Sequence, residues 1–128
     1  MTGDKTYLVL LVLLVLITKH LVFDFFLQSI NQIRNKRIYG HPGGLLHAAG
    51  HAAGTSLAFF IITPPIGVGA AILIGELIIH YHLDWLKEVI GFRMKLQMDQ
   101  KVFWMAFGID QWLHHLTYLG IALVLVVT

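Results

Sequence analysis

Histidines and carboxylates recur at helical spacing along this chain. His20, Asp24 and Gln28 stand four residues apart, as do His47 and His51, then Glu76, His80 and Asp84, then Asp110 and His114. On an α-helix, positions i and i+4 lie one above the other on the same face. Each set therefore projects its donors from adjacent turns, as helical bundles do when they build metal sites from facing helices. Imidazole nitrogen mixed with carboxylate oxygen suits zinc, iron or manganese. The expected metal-ligating set is His20, Asp24, His47, His51, His80, Asp84, Asp110 and His114, binding a divalent ion, zinc before iron or manganese. These are more donors than one tetrahedral ion requires, so either two ions bind or several of the residues orient the ligands. Glu76 and Asp84 are the carboxylates expected to act as general bases. Gln28 and Gln111 suit hydrogen bonding better than ligation.

The elements that must position these residues are strongly apolar. The 128 residues are 57% hydrophobic and 12% charged, with a mean hydropathy of +0.75, which is outside the range of ordinary soluble domains. Four helices are expected, at about 7–33, 45–62, 67–90 and 102–127, each near the roughly 20 residues that a bilayer requires. The fold class is therefore all-α, a four-helix transmembrane bundle forming a single integral membrane domain over 1–128. Leu8 to Ile17 could pass for the apolar core of a signal peptide, but Lys19 and the His20–Gln28 line follow it, and we read a retained helix. With no cysteine, neither a disulfide framework nor a thiolate metal site can form. The net charge of +2, with no basic run interleaved with aromatics, excludes a nucleic-acid partner.

The loops suggest an orientation. Arg34, Lys36 and Arg37 follow the first helix, and Arg93, Lys95 and Lys101 join the third to the fourth. Thr63-Pro64-Pro65-Ile66 carries no charge. The positive-inside rule then places both basic loops in the cytoplasm and both termini outside, in a multi-pass protein of the bacterial inner membrane. Counted from the cytoplasmic ends at about 1.5 Å per residue, Gln28, Asp84, His51, Asp110, Asp24 and His80 fall in one band. Lys19, Glu76, His20 and His114 fall about one turn deeper. Helices of opposite direction agree, as a single cluster in the cytoplasmic half requires. Ionisable groups at that depth are costly in hydrocarbon and mark functional sites.

Other residues have plainer readings. Lys19 and Glu76 lie at equal depth and read as a buried ion pair. Lys87 suits snorkelling to the interface, with contact to an anionic head group as the alternative. His82 lies off the His80/Asp84 face, and His115 flanks His114 without joining its line. The three tryptophans fit interfacial anchoring or packing. Gly50, Ala53 and Gly54 form a small-residue face that would bring their helix close to the histidine cluster.

The ordered set of His20-x3-Asp24-x3-Gln28, His47-x3-His51, His80-x3-Asp84-x2-Lys87 and Asp110-Gln111-x2-His114 resembles a family of small bacterial and phage inner-membrane proteins catalogued as a domain of unknown function. The resemblance spans His20 to about Leu119 and implies that these residues form the family's polar signature. Glu76, His82 and His115 look like additions to it. A looser similarity of architecture links the pattern to membrane-bound metal-dependent hydrolases.

Three functions follow as expectations. The first is a metal-dependent hydrolase acting on a lipid or lipid-linked substrate at the cytoplasmic leaflet. The second is a di-iron lipid oxidase. The third is a non-enzymatic membrane subunit, or a proton or metal-ion path, whose polar cluster is structural. The almost wholly apolar stretches Leu8–Ile17 and Ile121–Val127 argue against a path through the full bilayer in a monomer. The expected partners are the lipid bilayer, a lipid substrate, and a second copy of the chain or a larger membrane complex. Gly67, Gly69 and Gly75 are the residues expected to support such a contact.

Overall fold

In the computed structural model the chain is described from residue 2 onward in its backbone and from residue 5 onward in its side chains. Five α-helices form, with no strand among the described residues: α1 (Thr2–Leu21), α2 (Ile30–Asn35), α3 (Pro42–Thr55), α4 (Ile66–Arg93) and α5 (Lys101–Val127). A π-helical turn, Val22–Phe26, prolongs α1, and a 3₁₀ segment, Ser56–Phe60, prolongs α3.

The first expected helix is thus two pieces rather than one. The π turn carries Asp24, and the chain then breaks before Ser29, whose extended backbone starts α2. A reciprocal capping box forms there: Gln32 N–H donates to Ser29 Oγ, and Ser29 N–H donates to Gln32 Oε1. Two otherwise orphaned amides are satisfied in this way, which favours a new helix start over continuation. Pro42 at the first turn of α3 and the His41 ring accepting from Gly43 N–H set the next start.

The expectation of four long spans also needs correction. Two helices are long and apolar enough to cross a membrane, Lys5–Phe26 with a mean hydropathy of 2.3 and Ile66–Arg93 with 1.6. Helix α3 has 14 residues, about 21 Å at 1.5 Å per residue, shorter than a hydrocarbon core of roughly 30 Å. Helix α5 is long enough, but Asp110, Gln111, His114 and His115 interrupt its apolar run.

The four main helices close into a ring in which α1 packs on α3, α3 on α4, α4 on α5 and α5 on α1. Among the described residues no close backbone approach joins α1 to α4 or α3 to α5, so these pairs face each other across the bundle axis. One half of the interior is apolar, formed by Val12, Leu16, Ala58, Ile72, Tyr118, Ile121, Ala122 and Leu125. The half nearer the two basic loops is polar. Buried there are Lys19, His20, Lys36, His47, His51, Glu76, His80, Asp84, Asp110 and His114. The exterior is the reverse: Leu10, Leu14, Ile17, Phe25, Ile74, Leu119 and Leu123 are all about half exposed or more.

Close helix approach brings the polar half together. A Cβ built on Gly50 would meet Phe23 Cε1 at 2.9 Å, and one on Gly54 would meet Phe23 Cε2 at 3.0 Å. Both glycines therefore let α3 rest on the Phe23 ring, as the small-residue face suggests. Gly69 is taken up inside the chain by Phe59 and Pro64, whereas Gly67 and Gly75 face open space.

Candidate metal centre

Asp24 and Asp84 are the two hubs of the polar half. Asp24 Oδ1 lies 3.0 Å from His47 Nε2 and 2.9 Å from His51 Nε2, and its Oδ2 lies 3.1 Å from His20 Nε2. Asp84 Oδ2 lies 2.8 Å from Lys36 Nζ, 3.3 Å from His47 Nε2 and 3.4 Å from His80 Nε2. Its other oxygen is 3.2 Å from His114 Nε2, which is 3.4 Å from Asp110 Oδ1. His47 thus stands between the two carboxylates, and four helical segments meet at one level.

Two groups have donor atoms that all lie within 4.8 Å of one another and could hold a metal ion: Asp24, His47, His51 and His80, and then His80, Asp84 and His114. His80 belongs to both. Several of these atoms are close to a neighbour without the alignment of a hydrogen bond. His47 Nε2, both ring nitrogens of His80 and Asp110 Oδ1 are buried with no hydrogen-bond partner. Such orphans are expensive in a protein interior. Lone pairs converging on a shared centre are the arrangement that a bound cation satisfies, so the residues could hold a metal ion.

Of the eight expected ligands, the two groups gather six. His20 and Asp110 stand outside them and act on their neighbours. Tyr118 O–H lies 2.7 Å from His20 Nδ1, and His20 Nε2 donates to Gln111 Oε1 at 2.9 Å. The phenol can then donate to Nδ1, so both ring nitrogens are taken. Gln111 in turn donates to Asp110 Oδ2 at 3.1 Å, the hydrogen-bonding role expected of it. Gln28 donates to the Asp24 backbone carbonyl and stays outside the cluster.

Glu76 reaches across the bundle axis to pair with Lys19, as their equal depth suggests. The Lys19 ammonium also donates to the His51 carbonyl at 3.0 Å and approaches His51 Nδ1 at 3.4 Å. Glu76 Oε2 is buried without a hydrogen-bond partner. His82 is exposed and bonded to Tyr39, while His115 is exposed beside the His20 ring. Trp104 and Trp112 are exposed.

Two members of the site are absent from the helical lines. Tyr118 continues the Asp110/His114 line by one more turn, and that extension is the signal that would have found it. Lys36 is 5% exposed and enters from the segment after α2. It is therefore not one of the solvated loop charges that the orientation argument used. Nothing local signals its role, because the direction of the chain after the Ser29 cap decides it.

These features define a helical-bundle protein with an apolar exterior and an interior of histidines and carboxylates able to hold a metal ion. The chain belongs to the family described as protein of unknown function DUF3307, whose profile matches residues 11–128. No curated protein and no solved structure matches it.

Proposed function

We propose that this chain is a multi-pass protein of the bacterial inner membrane that holds a divalent metal ion, zinc first, and hydrolyses a lipid or lipid-linked substrate at the cytoplasmic leaflet. The observation that carries the reading is His80, buried, shared by both donor groups and without a hydrogen-bond partner on either ring nitrogen. Charge points the same way. The polar half holds four carboxylates, Asp24, Glu76, Asp84 and Asp110, and two buried ammonium groups, Lys19 paired with Glu76 and Lys36 paired with Asp84. Two negative charges are left over, and burial makes them costly. A single divalent ion balances them, which favours one ion over two.

The membrane reading rests on the reversed distribution of polarity. An apolar patch of this extent on a soluble monomer would be exceptional, and ionisable side chains facing a bundle interior are what hydrocarbon surroundings require. Helix α3 and its 3₁₀ extension together reach about 31 Å at the usual rises, enough for a third crossing. Helix α5 supplies the fourth.

Asp24, His47, His51 and His80 would hold the ion, with Asp84 and His114 adjoining through His80. Bound there, a divalent ion supplies Lewis-acid polarisation and makes water more acidic. Asp84 would accept a proton beside the donor set, and its contacts to Lys36 and His114 hold its orientation. Glu76, one turn of α4 from His80, is the second carboxylate for that role, with Lys19 fixing one of its oxygens.

A second reading is favoured by one observation. The Lys19 ammonium beside His51 Nδ1 leaves Nε2 as the protonated nitrogen, able to donate to Asp24 as in an ion-free polar network. In that case the cluster is the structural core of a membrane subunit, or part of a proton path, and two protonated histidines balance the charge. Elemental analysis of detergent-purified protein separates the readings. The metal reading expects about one divalent ion per chain, lost in His80→Ala. Protein that is folded and metal-free, with no gain in thermal stability on adding zinc, iron or manganese, would overturn it. A visible absorption band with bound iron would move the chemistry to lipid oxidation.

A further inference from the structure

The polar cluster is closed off from water. His47, His51, His80 and His114 are at most 2% exposed and Asp84 is 5% exposed; Asp24 is the most open of the donors, with a side chain 10% exposed. An ion bound there must enter through a movement of the protein. It cannot cross the flanks of the bundle, where Leu10, Leu14, Ile74 and Leu119 face outward, because charge is expensive in hydrocarbon. The end that carries the two basic loops is left. Residues 36–41, the turn between α2 and α3, lie against α4 at that end. Their backbone hydrogen bonds are local, from Ile38 N–H to the Asn35 carbonyl and from His41 N–H to the Ile38 carbonyl. Side chains hold the segment to α4. Gly40 N–H donates to the Tyr81 hydroxyl. The Tyr39 hydroxyl donates to His82 Nε2 at 3.0 Å, and its ring packs edge-on against Trp85, the centroids 5.2 Å apart. Lys36 Nζ reaches Asp84 Oδ2 at 2.8 Å. Beyond these points the segment is open: Ile38 and Tyr39 are about half exposed or more. Gly40 makes the turn at φ +79°, a conformation that glycine adopts without strain.

We propose that residues 36–41 are the gate through which a cation enters and leaves the cluster, with Lys36 as its latch. The inference rests on the metal reading above and adds the regulation of that site. Lys36 belongs to the segment, and its ammonium sits on one of the two hub carboxylates. Lifting the segment therefore withdraws the ammonium and bares Asp84 in one step. The oxygen it holds lies 3.3 Å from His47 Nε2 and 3.4 Å from His80 Nε2, so the ammonium stands where an arriving ion first meets donors of both groups. Two positive charges at such a spacing repel. The closed latch keeps cations out, and an ion that reaches the donors loosens the latch. Binding and opening are linked in this way, each favouring the other. A segment held by a few side-chain contacts opens at lower cost than a helix packed along its length.

The test is the kinetics of zinc exchange in the full chain purified in detergent, with uptake, release to a chromogenic chelator and zinc content measured on the same samples. The chain has no cysteine, so a pair introduced by Tyr39→Cys and Trp85→Cys is unique. Joining the pair with a bis-maleimide fixes the segment on α4. Capping both thiols with N-ethylmaleimide leaves it free, and the two samples differ in the bridge alone. The bridge is expected to slow uptake and release by about an order of magnitude or more, with zinc content at equilibrium unchanged. Tyr39→Ala with Tyr81→Phe removes the holds on the segment and touches no donor. It should speed uptake and release several-fold with no loss of affinity. Equal rates in bridged and capped protein would overturn the proposal and move the entrance to the more open side at Asp24. Faster release with unchanged uptake in the loosened variant would also overturn it, because the segment would then support the site rather than gate it. Zinc bound by the parent chain at rates that ignore the bridge would sink the gate alone. A parent chain that binds no zinc would sink the metal reading and the gate with it.

Discussion

His51 and His80 stack across the α3–α4 interface, their ring centroids 3.8 Å apart and their planes 29° from parallel. His80 is also 4.2 Å from His114, ring to ring, on α5. A row of imidazoles thus runs through the bundle, and His80 is its middle member. Two positively charged rings at the His51–His80 spacing would repel strongly in a low-dielectric interior. At least one of them must be neutral, which is the form that ligates a metal.

Replacing that middle member is the sharpest test of the site. His80→Ala removes a donor from both groups. Outer-shell partners alone typically cost 10–100-fold in metal affinity, so loss of this ligand should cost at least about a hundredfold. His82→Ala, two residues along α4 and off the donor face, should leave affinity within error. Competition with a chromogenic chelator measures both, and equal affinities in the two variants would refute the assignment.

Lys36 Nζ lies 2.8 Å from Asp84 Oδ2 and would compete with a bound cation for that oxygen. Lys36→Met leaves a buried carboxylate with less compensation, and breaking such a pair costs about 3–5 kcal/mol. The variant should therefore unfold more readily in chelator. It should also bind zinc more tightly than the parent chain, because one more negative charge faces the ion. At a free zinc concentration about 100 times the Kd, binding returns about 2.7 kcal/mol, so much of the loss should be recovered. Thermal melts in detergent with chelator and with zinc check both signs. Weaker zinc binding in Lys36→Met would show that the lysine supports the ion rather than opposing it.

The polar site was more legible in the sequence than the backbone that carries it. Lines at i and i+4 named the residues that meet, because helical periodicity and depth are local properties. Lys19 and Glu76 were paired by depth alone. The break after the π turn was harder to read, since Val22, Phe26, Ile30 and Ile33 keep a helical apolar spacing across it while Ser29 and Gln32 form a cap inside it. Lys36 was hidden for the same reason: its side chain reaches Asp84 only after the chain has turned. Two helices rather than four are long and apolar enough on their own to cross a membrane, because α3 stops at Thr55 and polar residues interrupt the apolar run of α5, and apolar segments of different length look alike in sequence.

The fit of Phe23 against α3 gives a prediction about packing. Gly50→Ala places a methyl group 2.9 Å from the Phe23 ring, and overpacking of this kind costs about 1–3 kcal/mol. Phe23→Leu alone should also destabilise by opening space beside Gly50 and Gly54. Together the two changes should cost less than their sum, since residues in contact couple. Loss of helicity on heating, followed for both single variants and the double, measures the coupling energy. Strict additivity would show that α3 does not rest on this ring.

The pair formed by Lys19 and Glu76 crosses the bundle axis between the polar and apolar halves, and it separates a structural role from a chemical one. Glu76→Gln alone leaves the Lys19 ammonium buried without its carboxylate and should cost about 3–5 kcal/mol. The double change Lys19→Met with Glu76→Leu removes both charges, and exchanges of this kind are often neutral or stabilising by about 1–4 kcal/mol. A double variant that melts at or above the parent temperature and keeps its metal would show that the pair is not needed to build the site. Turnover of a lipid ester, the proposed substrate class, then decides the role of Glu76. Retained turnover would leave Asp84 as the base, whereas loss of turnover in a stable, metal-loaded protein would assign that function to Glu76.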